Sequence, residues 1–295
     1  MSAVITEQLH DQAIGLDARP AQDIATILAA GQIAAAQAVQ AALPQICAAA
    51  TALAETIRRD AILHYAAAGS SGLMAAADAL ELGGTFSIPA RQVQIHMAGG
   101  LPQSADMPGA TEDETDGLDT ALAELTAQDC LIAVAASGRT PYTLRAAEIA
   151  KARGATIVAL ANNPATPLLD RADYPILLAT PPEIVSGSTR MGAGTAQKIA
   201  LNTLSTLMAV KLGHVHDGMM VNLKADNGKL RQRARRIVEV IAEAPPDAAQ
   251  QALDQADGAV KPAILIAARG LDPAAATKRL AASHGNLRTA LTRSD

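Results

Sequence analysis

Aromatic side chains are almost absent from this chain. Its 295 residues include no Trp, one Phe and three Tyr. Proteins that bind single-stranded nucleic acid stack the bases on aromatic platforms, so that class of partner is disfavoured. Positive charge is also short: 24 Lys and Arg stand against 29 Asp and Glu, a formal net charge of −5. Such a balance argues against nucleic acid and against anionic membrane surfaces. Cysteine is limited to Cys47 and Cys130, each in an apolar neighbourhood. Two thiols make no disulfide framework; they read as buried structural residues and fit a reducing cytoplasm. The opening Met1-Ser2-Ala3-Val4-Ile5 lacks a basic segment followed by an apolar one, so no signal peptide is expected. No uninterrupted apolar run is long enough for a membrane span. His214 and His216 have no third ligand at a metal-binding spacing, so they read as surface or interface histidines and no metal is expected.

Small apolar residues are plentiful instead. Hydrophobic residues make up 49% of the chain, much of it alanine, enough for a sizeable core. Residues 20–59 carry helical spacing, with Leu28, Ile33, Val39, Leu43 and Ile46 on one broadly continuous face. The pattern then changes to short apolar runs, each followed by a small or polar turn. Such runs occur at 61–67, 92–97, 130–135, 156–160 and 174–178 and read as strands buried on both faces. Helical segments alternate with them, for example from Pro141 to a stop at Gly154. Strand, loop, helix, strand is the grammar of an α/β fold with a doubly wound parallel sheet, here of five strands. Residues 192–212 read as a long buried helix. Asp226-Asn227 is placed to cap a charged helix, and Ala244-Pro245-Pro246 marks a boundary before a small three-helix appendage. The expected organisation is an N-terminal helical segment (1–60), a sheet domain (61–243) and a helical C-terminal domain (244–295).

Three turns share one chemistry: Gly69-Ser70-Ser71-Gly72, Ala136-Ser137-Gly138-Arg139-Thr140, and Ser186-Gly187-Ser188-Thr189-Arg190. Small residues let the backbone approach a ligand. N–H groups and hydroxyls at helix N-termini favour an anion. All three follow strands, where doubly wound sheets bind ligands. Ser70, Ser71, Ser137, Gly138, Thr140, Ser186, Ser188 and Thr189 are therefore candidate contacts for one phosphate or phosphosugar. The serines and threonines could also be simple helix caps. Arg139 and Arg190 fit a phosphate or a structural ion pair equally.

Glu183-Ile184-Val185-Ser186-Gly187-Ser188-Thr189-Arg190-Met191, continuing Ala193-Gly194-Thr195-Ala196-Gln197-Lys198, resembles the signature of the N-acetylmuramic acid 6-phosphate etherase family, sugar-isomerase (SIS) type phosphosugar proteins. The likeness runs nearly end to end. It takes in Ala135 to Tyr142 and a C-terminal Leu271-Asp272 through Lys278-Arg279-Leu280 and His284-Gly285. It implies elimination of D-lactate from C3 of the sugar, then addition of water to give N-acetylglucosamine 6-phosphate, without a cofactor. By position in the family pattern, Glu81 and Glu112 fall on the two glutamates implicated in the chemistry. We assign Glu81 as the acid/base that serves the ether oxygen and activates water and Glu112 as the group acting at C2, an assignment the pattern leaves open; Glu183 is a candidate partner for sugar hydroxyls. A pair of carboxyls can divide such work when their surroundings separate their proton affinities. The resemblance also implies a homodimer in cell-wall recycling. The chain departs from the family pattern at Leu73, at Leu82-Gly83-Gly84, after Thr6-Glu7 at Leu9-His10, and at Asn222, Asp226 and Gly228. Two other readings keep the three turns: a phosphosugar-binding regulator of the glucokinase-regulator type, which needs neither glutamate, and a phosphosugar isomerase, which expels nothing.

Overall fold

A computed structural model describes residues 4–292 except 106, 108, 224 and 226. Met1, Ser2 and Ala3 of the opening segment, and Asp226 of the expected cap, lie outside the described residues. The chain forms two compact units. One comprises Met1–Leu80 with Ala90–Ser205; the other comprises Glu81–Pro89 with Thr206–Asp295.

The first unit opens with α1 (Ala21–Ala38) and α2 (Leu43–Arg58), joined by a tight turn at Val39–Ala42. β1 (Leu63–Ala67) leads into α3 (Gly69–Phe86), whose last residues belong to the second unit. Then come β2 (Val93–Met97), α4 (Leu118–Ala121), β3 (Cys130–Val134), α5 (Pro141–Ala152), β4 (Thr156–Ala161), α6 (Pro167–Arg171), β5 (Tyr174–Leu177) and α7 (Gly192–Lys211), whose residues from Thr206 on belong to the second unit. The five strands form one sheet in the order β2-β1-β3-β4-β5. Every pairing is parallel, with Ala67 opposite both Met97 and Val134. β1 and β3 are buried at every position, which is why they read as unbroken apolar runs. On one face Ala66, Leu131, Ala133, Ile157 and Ala159 pack with Leu122 and Leu125 and with Ala146, Ala147 and Ala150 of α5. α2 lies against β1, β3 and β5. Pro141 starts α5, where no backbone donor is needed, and Gly154 stops it with φ +74°.

Two expectations change. The apolar face of 20–59 is not continuous: Val39 and Ile46 are buried, but Ile33 is 60% exposed and Leu43 is 42% exposed. Cys130 is buried, whereas Cys47 is exposed. Ile46, Ala49, Ala50 and Leu53 hold the inner face of α2, so the residue after Ile46 turns outward. By length and composition alone, the helical run Ala21–Arg58 is apolar enough to cross a membrane, because alanines count as apolar. α1 and α2 are nevertheless separate helices.

His64 of β1 and His96 of β2 stack with ring centroids 5.3 Å apart, and His64 Nδ1 is 3.0 Å from His96 Nε2. Asp129 Oδ2 lies 4.0 Å from His64 Nε2. Its oxygens already accept from Ile62 N, Thr126 N and Thr126 Oγ1. Burial lowers the proton affinity of both imidazoles, more than Asp129 raises that of His64. Burial and the neighbouring His64 bring His96 to about 4. On His96 the unfolded chain therefore takes up a proton below pH 6.5 that the folded chain refuses until about pH 4, and His64 shifts in the same direction. The contribution of this pair to stability is fully present above pH 6.5 and is lost as the pH falls through that window. Denaturant unfolding should show wild type losing about 2 kcal/mol more than His96→Gln between pH 7 and pH 4.5. Equal losses in the two proteins would remove the histidine pair as the cause.

The second unit holds a short antiparallel pair, β6 (Val215–His216) and β7 (Met219–Met220). Five helices follow: α8 (Gly228–Ala242), α9 (Pro246–Gln255), α10 (Val260–Arg269), α11 (Pro273–Ala282) and α12 (Leu287–Thr292). Asn227 caps α8 as expected, accepting from Leu230 N at 3.0 Å. The appendage after Pro245 has four helices where the sequence predicts three. Left-handed glycines at Gly270 and Gly285 divide it, and Asp272 caps α11 through Ala275 N. Ile237, Val238, Ile264 and Leu265 lie at the centre of this unit's core. Phe86 O accepts from Asn222 Nδ2, and Ser87 Oγ donates to Asn222 O, so residues 81–89 are tied into this unit.

Candidate active site

The strand order turns back between β1 and β3, the topological switch point at which doubly wound sheets bind ligands. The first two hydroxyl turns leave from those two strands. Ala67 is opposite Val134, so the turns start about 4.8 Å apart, one strand spacing.

At the first turn the backbone bends at Gly69, φ +51°. Ser70 and Ser71 then occupy the first turn of α3, both half-buried. A Cβ at Gly69 would run into Glu112 Oε1 and lie 3.4 Å from its Cδ. The Glu112 carboxyl, on a tight turn at Gly109–Glu112, is thus seated on the first hydroxyl turn.

At the second turn Ser137 Oγ accepts from Arg139 N at 3.1 Å. Gly138 has φ +65°, and a Cβ there would lie 2.5 Å from Thr166 Cβ, so only glycine fits. Thr140 is the N-cap of α5 but makes no side-chain cap bond. Its hydroxyl is not taken up by the helix. Arg139 and Arg190 are exposed.

The third turn is held from two sides. Glu183 is 5% exposed, and its two oxygens accept from Gly192 N at 2.9 Å and Ala193 N at 2.8 Å. Both oxygens therefore serve the N-terminus of α7, where the helix dipole favours an anion. Ser186 Oγ donates to Glu7 O at 3.2 Å and Gln8 O at 3.4 Å. Ser188 and Thr189 lie next along the turn, and Thr189 O accepts from Gly194 N at 2.8 Å. A Cβ at Gly194 would lie 4.0 Å from Met74 Cγ of α3. The helix behind the third turn thus adjoins the helix behind the first.

Two features escape sequence reasoning. Asn163, just past β4, donates from Nδ2 to Ala136 O (2.9 Å) and to Thr6 Oγ1 (3.1 Å), while its Oδ1 accepts from Ile5 N (2.7 Å). Gly187 N donates to Thr6 O at 3.3 Å. Residues 5–8 therefore bridge the second and third turns. Thr6-Glu7 is visible in the family pattern but has no role there to read. The second feature is Asp78, which is buried. It accepts from Tyr65 OH (3.0 Å), Asn202 Nδ2 (2.8 Å) and Ser205 Oγ (2.8 Å), and so joins β1, α3 and α7. Burial raises its proton affinity despite those bonds and the charge of Lys198. Lys198 Nζ donates to Asn202 Oδ1 at 2.5 Å.

Glu81 belongs to the second unit, where its side chain is exposed. The structure thus gathers the three turns, Glu112 and Glu183 in one unit. Among the described residues no group of three or more His, Cys, Asp or Glu could hold a metal.

Residues 103–212 match the SIS domain family model. An N-acetylmuramic acid 6-phosphate etherase of Deinococcus radiodurans is 45% identical over 290 residues, covering 97% of this chain and 94% of that protein. Proteins of the same name from Rubrobacter xylanophilus and Streptomyces avermitilis are 38% and 39% identical, each over 99% of this chain and over 97% and 94% of their own length. A solved protein of E. coli CFT073 superposes with a TM-score of 0.51 at 12% identity, over 68% of this chain and 97% of that chain. At that identity the likeness concerns the fold alone. With such identity to the etherases sustained along almost the whole of both chains, this protein belongs to the N-acetylmuramic acid 6-phosphate etherase family.

Proposed function

We propose that this chain cleaves the lactyl ether of N-acetylmuramic acid 6-phosphate, giving D-lactate and N-acetylglucosamine 6-phosphate. The single observation that carries the reading is the seat of the Glu112 carboxyl on the Gly69-Ser70-Ser71 turn, at the switch point of the sheet. A phosphosugar gripped there has a proton acceptor beside it. Ser70, Ser71, Ser137, Thr140, Ser188 and Thr189 supply hydroxyls, and Gly138 lets the backbone close on the phosphate oxygens. Ser186 adds to the ligand set through the segment it anchors.

Glu112 removes the C2 proton, which the C1 aldehyde of the open-chain sugar makes acidic. The C3–O bond breaks, and Glu81 protonates the departing lactyl oxygen. Glu81 then deprotonates water as it adds to C3, and Glu112 returns the proton to C2. General acid–base work of this kind contributes about 10²–10⁴-fold per group.

The protein acts in the cytoplasm, in recovery of cell-wall amino sugars, as a homodimer. Exposed Ile14, Ile33 and Leu43 are the apolar residues that support α1 and its neighbours as the paired face. Incubation with N-acetylmuramic acid 6-phosphate should release stoichiometric D-lactate. Thermal stabilisation by phosphosugars without turnover would instead indicate a sensor. Conversion of a hexose phosphate without lactate would indicate an isomerase.

A further inference from the structure

One carboxylate beside the third hydroxyl turn is carried by an anchored segment yet has no task in the proposed chemistry. Residues 5–8 are fixed by backbone and Thr6 contacts: Ile5 N and Thr6 N donate to Asn163 Oδ1, Thr6 Oγ1 accepts from Asn163 Nδ2, and Thr6 O accepts from Gly187 N. Ser186 Oγ adds bonds to Glu7 O and Gln8 O. None of these uses the Glu7 side chain. That side chain is directed at the third hydroxyl turn, with Oε2 3.4 Å from where a Cβ of Gly187 would sit. It is exposed and has no side-chain partner among the described residues. Glu183, the other carboxylate of this turn, has both oxygens on α7.

We propose that Glu7 is the specificity-determining carboxylate of this pocket, accepting a hydrogen bond from a hydroxyl of the bound sugar. The inference rests on the phosphosugar reading of the site and deepens it. An ionised carboxylate accepts from neutral hydroxyls strongly and repels phosphate. Beside a phosphate-gripping turn it would orient the sugar end of the ligand rather than the ester end. The anchored backbone keeps the base of the Glu7 side chain beside the turn, so only that side chain, and not the segment, is ordered on binding.

The test compares wild type with Glu7→Gln and Glu7→Ala. Lactate release from N-acetylmuramic acid 6-phosphate is measured alongside calorimetric binding of N-acetylglucosamine 6-phosphate and of inorganic phosphate. KM should rise about tenfold or more in Glu7→Ala and by a smaller factor in Glu7→Gln, whose uncharged amide oxygen still accepts, with kcat within about threefold in both, the pattern of lost uniform binding. Binding of the sugar phosphate should weaken in parallel, inorganic phosphate should bind no more weakly, and melting temperatures should stay within about 2 °C. Unchanged KM and sugar binding in Glu7→Ala would overturn the proposal, as would a Glu7→Gln variant identical to wild type. If wild type releases no lactate yet binds the sugar phosphate, the etherase reading fails. The role of Glu7 is then decided by the binding arm alone: tenfold weakening supports it and equal binding overturns it. Absence of any sugar-phosphate binding by wild type removes both.

Discussion

Replacing Glu112 with Gln should lower kcat for D-lactate release by about a thousandfold, with the fold and melting temperature intact. Gln keeps the shape of the side chain but cannot accept the C2 proton, and loss of a general base costs about 10²–10⁴-fold. Glu112 is half-buried on a turn, and its carboxyl fills the space that a Cβ on Gly69 would take, so an isosteric amide can occupy the same place. Substrate incubated in deuterium oxide separates the two glutamates. Glu112→Gln should abolish exchange at C2, because no carbanion forms. Glu81→Gln should retain exchange while losing lactate, because the C2 proton still leaves but the ether oxygen is not protonated. Retained exchange in Glu112→Gln would take that residue out of the proton-abstraction role and exchange the two assignments.

Glu183→Ala should destabilise the protein by about 3 kcal/mol, since it strips two charge-assisted acceptors from buried backbone N–H groups at a helix N-terminus. In melting temperature this is a drop of about 5–10 °C. The two N–H groups that Glu183 serves are buried with it, so water cannot take over from the lost oxygens without α7 shifting. Glu183→Gln should recover part of the loss, because one carbonyl oxygen remains to accept. Lactate release should fall in Glu183→Ala as well, because the Ser186–Thr189 turn is strung between Glu183 and α7. A variant with wild-type melting and a raised KM would return Glu183 to the partner of sugar hydroxyls that the family pattern suggests.

The parallel sheet was legible because its strands are buried on both faces. Cys130 to Val134 and Leu63 to Ala67 have no exposed side to mark with polar residues, and each ends in small or hydroxyl residues. The limits of α5 were legible for a local reason too: Pro141 and Gly154 have few other places to stand. Legibility failed where the deciding neighbour was distant. Cys47 and Ile46 look alike in a run of apolar residues, and only the face of α2 turned toward the sheet separates them. The segment after Pro245 reads as three helices because the weak stops at Gly270 and Gly285 count only once the short helices that follow them, α11 and α12, pack against α10. In the site, Glu183 reads as a free acid beside a sugar-binding turn, yet its two oxygens meet N–H groups that exist as unpaired donors only because α7 begins at Gly192.

By itself the sequence determined the alternation of strands and helices, the three hydroxyl turns at strand ends and the family, since each depends on residues adjacent in the chain. Tertiary structure decided which of those residues face one another: Glu112 on Gly69, residues 5–8 across Asn163 and Gly187, and Asp78 beneath α7. Side chains far apart in the chain meet through strand register and close packing, and neither is written in any local pattern of residues.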